Sequence, residues 1–227
     1  MGRFLFLTML KIGHRGAKGY VLENTRSSFQ KAIHLNVDGI ELDVHLSADN
    51  QVMVIHDDTI DRTTSESGLV SELSSAKMQQ LGIPTLIEVI ALVGQRCFIN
   101  IEIKDKNTTP FVLSIIENSI KKLGWNYNLF QISSFDWTVL EAIAKLNPSI
   151  HLGVLTETSN SEAFEFAKKI NAYSINPFFE LIDQETVALW QQNGFNVFPW
   201  TVNQEEDLNF VKSLHVNGII SDFPDRI

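Results

Sequence analysis

The chain has 227 residues, 44% hydrophobic and 20% charged, the proportions of a globular protein that buries one sizeable core and is too apolar for disorder. Its 18 basic and 27 acidic residues give a formal net charge of -9 with no concentrated basic run, which argues against nucleic acid and anionic membrane surfaces as partners. A single cysteine, Cys97, excludes an intramolecular disulfide framework and a cysteine-based zinc cluster, and reads as a small buried apolar residue.

The start, "MGRFLFLTML", has the arginine and apolar run of a signal peptide. The run is short, lacks a small-residue cleavage pattern and flows into the next motif, so it reads as the approach to a first strand, with Met9 as an alternative start. No other stretch is long and apolar enough for a membrane span, and the cytoplasm is the expected location.

From there, short apolar runs alternate with helix-length stretches. The runs are "LTMLKIG" (7–13), "GIELDV" (39–44), "CFINIEI" (97–103), "NLFQIS" (128–133), "HLGVL" (151–155), "AYSI" (172–175), "FNVFPW" (195–200) and "GIIS" (218–221). Between them apolar residues recur at three and four spacing, as in Phe29, Ala32, Ile33 and Phe164, Ala167, Ile170, the signature of helices with one buried face. Strand and helix in alternation imply parallel strands, and eight such units point to a closed (β/α)8 barrel, the TIM barrel, in one domain over 1–227. An open doubly wound sheet is the competing architecture, weakened by the lack of a glycine-rich nucleotide fingerprint after the first strand.

One run departs from the pattern. "QVMVIHDD" follows the second strand after only "ADN", too short for a parallel crossover, so it turns back as a hairpin near Asp49 and Asn50 and returns His56 to the level of Glu41 and Asp43. The segment 57–84, with a helix in "SELSSAKMQQL", then reads as a small insertion over the barrel mouth. A further helix, "IPTLIEVIALV", follows it.

In such barrels reactive groups sit where strands end, at the C-terminal mouth. Strand one delivers His14 and Arg15, strand two Glu41 and Asp43, the hairpin His56, strand three Glu102 and Lys104, and strand seven Trp200. Residues two apart on a strand share a face, so three carboxylates converge. They repel one another unless a cation sits among them, and an all-oxygen ligand set favours Mg²⁺ or Ca²⁺. The competing reading is a buried ionic network of these acids with Arg15 and Lys104. His14 and His56 suit a general acid and base, Arg15 and Lys104 a clamp for a phosphate, and Trp200 a flat wall for a polyol or apolar group. Glu23 is a candidate anchor for Arg15, Asn24 or Thr25 a helix cap, and Gly16 and Gly19 loop bends. His34, His45, His151 and His215 read as structural.

In series, "GHRG", "ENTRSSF", "GIELDVHLS", "VIHDDTIDRTT", "IPTLIEV", "NIEIK", "ISSF", "WTVN" and "GIISDFP" resemble the glycerophosphodiester phosphodiesterase family from Gly13 to Pro224. The resemblance implies a distorted (β/α)8 barrel and divalent-metal-dependent hydrolysis of glycerophosphodiesters to an alcohol and sn-glycerol 3-phosphate. By position it also implies that His14 and His56 are the acid-base pair, Glu41, Asp43 and Glu102 the metal ligands, and Arg15 and Lys104 the phosphate contacts. Leu22, Asn217 and Ser221 depart from residues common in the family, without removing a catalytic group. The nucleophile is water or the hydroxyl beside the ester. A lysophospholipase D on the same site and a barrel that binds without turnover are the alternatives; a metal-dependent amidohydrolase would end strand one differently. Head group and oligomeric state leave no signature in the sequence.

Overall fold

A computed structural model describes residues 9–227; the apolar start up to residue 8 lies outside them. Among the described residues, eight parallel strands form the barrel. In chain order these are β1 (Leu10–Gly13), β2 (Gly39–Leu46), β4 (Phe98–Ile103), β5 (Phe130–Ser134), β6 (His151–Thr156), β7 (Ser174–Pro177), β8 (Asn196–Val197) and β9 (Gly218–Ser221), while β3 (Val52–Val54) pairs antiparallel with β2. The helices between them are α1 (Arg26–His34), α2 (Ser75–Gln80), α3 (Leu86–Val93), α4 (Thr109–Leu123), α5 (Trp137–Leu146), α6 (Asn160–Ile170), α7 (Gln184–Gln192) and α8 (Glu205–Ser213).

The strand order β8-β7-β6-β5-β4-β2-β1-β9 runs around the barrel. The remaining gap, between β8 and β9, is bridged by backbone bonds from Asn217 N–H to Val197 O (3.2 Å), Ile220 N–H to Pro199 O (3.0 Å) and Val202 N–H to Ile220 O (3.0 Å). Closure matters because an open edge would leave a row of unpaired backbone groups. It also decides against the open doubly wound sheet.

Helix starts follow the local sequence. Thr25, Ser74, Thr85, Asp136, Ser159 and Asp183 each accept a backbone N–H from the first turn of the helix they precede, the ordinary use of short polar side chains as N-caps. At α3 the cap is reciprocal, since Glu88 also accepts from the Thr85 N–H at 2.9 Å.

The strand period of two separates two layers. Outward-facing Ile40, Leu42 and Val44 of β2, with Ile99, Ile101 and Ile103 of β4 and Ile132 of β5, are buried in the main core against helix residues such as Phe29, Val89 and Ile143. The inward-facing positions divide by depth. Leu10, Ile12, Phe198 and Ile220, with Phe98 and Tyr173, form an apolar plug inside the barrel, whereas Glu41, Asp43 and Glu102 gather toward the other end. Cys97 is buried, as its apolar reading requires, and burial pushes its thiol up to about 12.

The hairpin takes the expected course. Val44, His45 and Leu46 pair with Val54, Met53 and Val52, and Ile55 N–H donates to Asp43 O at 3.0 Å. The reversal uses Asn50 with φ 58°, a conformation asparagine tolerates. Asp49 ties the turn to the next element, accepting Ser75 N–H at 2.8 Å and Ser75 Oγ–H at 2.7 Å. The helix expected over 71–81 is shorter, with a 3-10 turn at Val70–Glu72 preceding α2. Leu73 and Ser74 are extended between them because Ser74 serves as the cap. This segment builds its own apolar cluster of Met53, Ile55, Ile60, Val70, Met78 and Ile83.

Ile132 is fully buried between β5 and the outer helices. Ile132→Ala is expected to destabilise the fold by about 2–5 kcal/mol, read from urea unfolding, through lost burial and the cavity left behind. A change below about 1 kcal/mol would mean the barrel wall collapses into the space.

Candidate active site

The site begins where β1 ends. His14 and Arg15 follow Gly13, and the chain then bends through Arg15 (φ 49°) and Gly16 (φ 86°). A Cβ at Gly16 would lie 2.4 Å from Ser28 Oγ, so no larger residue fits this turn. Ser28 closes the loop, donating to Arg15 O and accepting Ala17 N–H, each at 2.9 Å. The Arg15 N–H donates to Glu41 Oε2 at 2.9 Å, which couples the loop to β2.

Glu41, Asp43 and Glu102 each bring a carboxylate oxygen within 4.8 Å of the others. The backbone explains the convergence, since Asp43 is opposite Glu102 in the parallel β2–β4 register and Glu41 lies two residues earlier on the same face of β2. Lys104, just beyond β4, donates to Glu102 at 2.7 Å and lies 3.7 Å from Asp43. Arg15 Nε is 3.3 Å from Asp43, and Asn24 Nδ2 donates to the same Asp43 oxygen at 2.9 Å.

These contacts distribute the charge unevenly. Burial acts first on all three acids, pushing each toward protonation. At Asp43 the positive charges of Arg15, Lys104 and His56 outweigh it and hold the carboxyl below its ordinary range. At Glu102 burial and the Asp43 charge prevail over Lys104 and raise the pKa to about 7. Glu41 is raised well above the usual carboxylate range, by burial and by the charges of Asp43 and Glu102. Among the described residues its only side-chain ion-pair partner is His14, at 4.0 Å.

The ionic network expected as the competing reading is present in part: Arg15 and Lys104 pair with Asp43 and Glu102, and Glu41 remains without a strong cation. That remainder fits a hard divalent ion. Three carboxylates in mutual reach, two of them carrying raised pKa values, form an oxygen donor set that a cation would stabilise in its ionised form.

Two histidines face this centre. His14 Nδ1 lies 2.6 Å from Asp222 Oδ1, and burial is the chief cause that lowers its pKa against the opposing pull of Asp222. Asp222 is held in turn by Asn203, whose Nδ2 donates to Asp222 Oδ2 and whose Oδ1 accepts the Asp222 N–H, both at 2.9 Å. His56 Nδ1 lies 2.7 Å from Asp57 Oδ1 and its Nε2 lies 3.2 Å from Lys104 Nζ. Its pKa is also lowered, mainly by burial, with Asp43 and Asp57 opposing. Each histidine thus has one nitrogen fixed by a carboxylate and the other directed inward, the arrangement that selects a tautomer.

His14, Arg15, Glu41, His56, Glu102, Lys104 and Trp200 line one open pocket. The Trp200 indole N–H donates to Asn176 O at 2.8 Å, and its ring meets Phe135 edge to face with centroids 5.5 Å apart. Asp43 lies behind this surface, 1% exposed, as an inner member of the acid cluster. The other histidines lie elsewhere. His34 and His215 are exposed, His151 stacks on Tyr173, and His45 Nε2 bonds the His56 carbonyl oxygen at 3.0 Å, bracing the hairpin from its far face.

Three further residues, unassigned by the sequence reading, complete the site. Asp57 follows His56 directly, and Asp222 follows β9 where a strand-end polar group would be sought. Arg62 in the insertion spans Asp57 and Glu23, donating to Asp57 at 2.7 Å and to both Glu23 oxygens at 2.8 and 2.9 Å. Glu23 also accepts from Arg15 at 2.7 Å, so the insertion, the first loop and the phosphate-clamp candidate share one chain of ion pairs.

Residues 14–226 match the family described as the glycerophosphoryl diester phosphodiesterase family. A glycerophosphodiester phosphodiesterase of Caldanaerobacter subterraneus subsp. tengcongensis is 36% identical over 233 residues, covering 96% of this chain and 96% of that protein. The crystal structure of a glycerophosphodiester phosphodiesterase from Thermotoga maritima is 29% identical with a TM-score of 0.84, covering 96% of both chains. An Oleispira antarctica phosphodiesterase, solved in complex with the product sn-glycerol-3-phosphate, is 26% identical with a TM-score of 0.86, covering 98% of this chain and 96% of that one.

Glu23 gives a pH prediction. Burial pushes its carboxyl up, but the bonds from Arg62 and Arg15 outweigh burial and bring the pKa from 4.5 to about 2. A carboxylate with a depressed folded-state pKa contributes stability that is present above the unfolded value and lost as pH falls toward the folded one. The unfolding midpoint should therefore decline between about pH 5 and pH 2, and Glu23→Gln should be less stable at neutral pH with a shallower decline. Parallel pH profiles for parent and variant would remove Glu23 from this account.

Proposed function

The chain belongs to the glycerophosphoryl diester phosphodiesterase family, and on that premise we propose that it hydrolyses glycerophosphodiesters to an alcohol and sn-glycerol 3-phosphate. The observation that carries this reading is a single pocket in which two carboxylate-anchored histidines and two cationic side chains flank three clustered acids.

In this reading Glu41, Asp43 and Glu102 hold Mg²⁺ or Ca²⁺. A bound cation would offset the three carboxylates and polarise the phosphoryl oxygens. Arg15 and Lys104 orient the phosphodiester and oppose the charge that develops on its non-bridging oxygens. Their own pKa values are raised, because the neighbouring acids outweigh the effect of burial, so both stay charged throughout the reaction.

The histidines move the protons. His14, with Nδ1–H donated to Asp222, keeps Nε2 free to accept or return a proton in the pocket, and Asp222 stabilises the imidazolium when it forms. His56 is held by Asp57 in the same way and presents Nε2 beside Lys104. Burial favours the neutral form of both rings, so each is ready to accept a proton near neutral pH. Trp200 forms a wall for the glycerol carbons. The nucleophile is water or the glycerol hydroxyl next to the ester.

The chain is a single barrel domain over 1–227, with 57–84 as an insertion over its mouth, and it acts in the cytoplasm. No helix among the described residues is long and apolar enough to cross a membrane.

Activity on glycerophosphocholine or glycerophosphoethanolamine should vanish with chelator and return with Mg²⁺ or Ca²⁺; full turnover by metal-free protein would defeat the metal assignment. His14→Ala and His56→Ala should each lower kcat by about a hundredfold or more, with sn-glycerol 3-phosphate still bound. His34→Ala, on the exposed end of α1, should leave the rate unchanged. Near-parental turnover by either active-site variant would dismiss that histidine as a proton carrier.

A further inference from the structure

Two polar atoms at the pocket's floor have no partner within the protein. Asn100 is 2% exposed and Ser133 0%, both line the pocket, and neither Asn100 Oδ1 nor Ser133 Oγ makes a hydrogen bond. Native interiors seldom leave such atoms unmatched unless water or a ligand completes them. A neighbouring polar set inside the barrel largely satisfies itself, with Gln131 Nε2 donating to Ser174 Oγ at 3.0 Å and Ser174 Oγ–H to Asn176 Oδ1 at 2.6 Å. Gln131 Oε1 and Asn176 Nδ2 remain unpaired there, but neither residue borders the pocket.

Their position defines what could complete them. Asn100 is two residues before Glu102 on β4 and shares its inward face, and Ser133 is the register partner of Glu102 on β5. Asn100 is in turn the register partner of Glu41 on β2, so both sit level with the acid cluster and deeper than Arg15 and Lys104, which follow the ends of their strands. Trp200, Phe135 and Leu155 supply apolar lining to the same pocket. The Trp200 indole N–H is already committed to Asn176 O, so its ring offers the pocket no donor.

A ligand that fits this lining has C–H groups for the wall, at least one O–H to donate to Asn100 Oδ1, a second hydroxyl to exchange a bond with Ser133, and an anion for the cations nearer the mouth. A glycerol phosphoester has all four. A choline or ethanolamine head group does not supply the hydroxyl pair. We infer that Asn100 and Ser133 are specificity-determining residues that bind the glycerol hydroxyls of the substrate. This rests on the phosphodiesterase reading and adds to it the two residues that recognise the hydroxyls.

The test compares sn-glycerol 3-phosphate with ethyl phosphate, which keeps the phosphoester and lacks the hydroxyls, by calorimetric titration of the Mg²⁺-supplied full chain. The parent should bind the glycerol compound more tightly. Asn100→Ala and Ser133→Ala should each weaken that binding by about tenfold, the scale of one lost hydrogen bond with its partner left unpaired, and leave ethyl phosphate affinity unchanged. Unaltered affinity for sn-glycerol 3-phosphate in a variant that melts like the parent overturns the inference. Equal weakening of both ligands also overturns it, because the phosphate side would then be what changed. Should Asn100→Ala fail to fold, Ser133→Ala, which removes one oxygen, decides by the same comparison. A parent that hydrolyses glycerophosphocholine but does not discriminate between the two ligands overturns the floor alone. A parent that neither hydrolyses it nor binds sn-glycerol 3-phosphate overturns the functional reading and the floor with it.

Discussion

Mutual repulsion among Glu41, Asp43 and Glu102 is the constraint around which the rest of the structure is arranged. Two ionised carboxylates within 4.8 Å of each other repel by on the order of 3 kcal/mol or more at an effective dielectric of about 20, and three of them multiply that cost. A barrel can hold them there only because other elements supply positive charge and donors to the same spot. The β1 loop contributes the Arg15 guanidinium and backbone N–H, β4 continues into Lys104, and the start of α1 brings in the Asn24 amide. Even so, Glu41 and Glu102 stay poised toward protonation. The protein thus folds around a charge imbalance that a bound cation would relieve, and cation binding there would be coupled to the ionisation of these carboxylates.

The outer contacts of the site are as ordered as the inner ones. Asp222 sits on the segment after β9 and reaches His14 at the end of β1, two strands that are neighbours in the barrel but 208 positions apart in sequence. Asn203, from the segment after β8, fixes that aspartate by two hydrogen bonds. On the other side, Arg62 joins Asp57 to Glu23 and so connects the orientation of His56 with that of Arg15. Each proton-carrying candidate is therefore positioned by a carboxylate that is itself restrained, which limits the rotamers it can adopt at the pocket.

The barrel interior shows a division of labour along its axis. One end is filled by Leu10, Ile12, Phe198 and Ile220 and supports the wall by packing. The middle is polar and partly self-satisfied through Gln131, Ser174 and Asn176. The mouth is charged. Gly153 permits the middle layer, since a Cβ there would lie 2.3 Å from Gln131 Nε2. Asn100 and Ser133 stand at the boundary between the self-satisfied layer and the pocket, where an unmatched hydrogen-bonding atom can be completed only by what enters from the mouth.

Much of this was legible in the sequence. The alternation of short apolar runs with amphipathic stretches is a local property and determined the eight strand-helix units. The three-residue link after "GIELDVHLS" is too short for a crossover and determined the hairpin. Residues at strand ends, in period two, brought Glu41, Asp43, Glu102 and Lys104 to one face, and His14 and His56 to its rim. The tertiary structure alone decided which backbone bonds bridge β8 and β9, the Asp222 contact to His14 and the Arg62 bridge, because these depend on segments brought together by the whole fold and carry no local periodicity. It also decided which buried polar atoms lack partners. Hydrogen-bond satisfaction depends on the distance and angle between atoms brought together by the whole fold, whereas the sequence determines only which donors and acceptors are available to be paired.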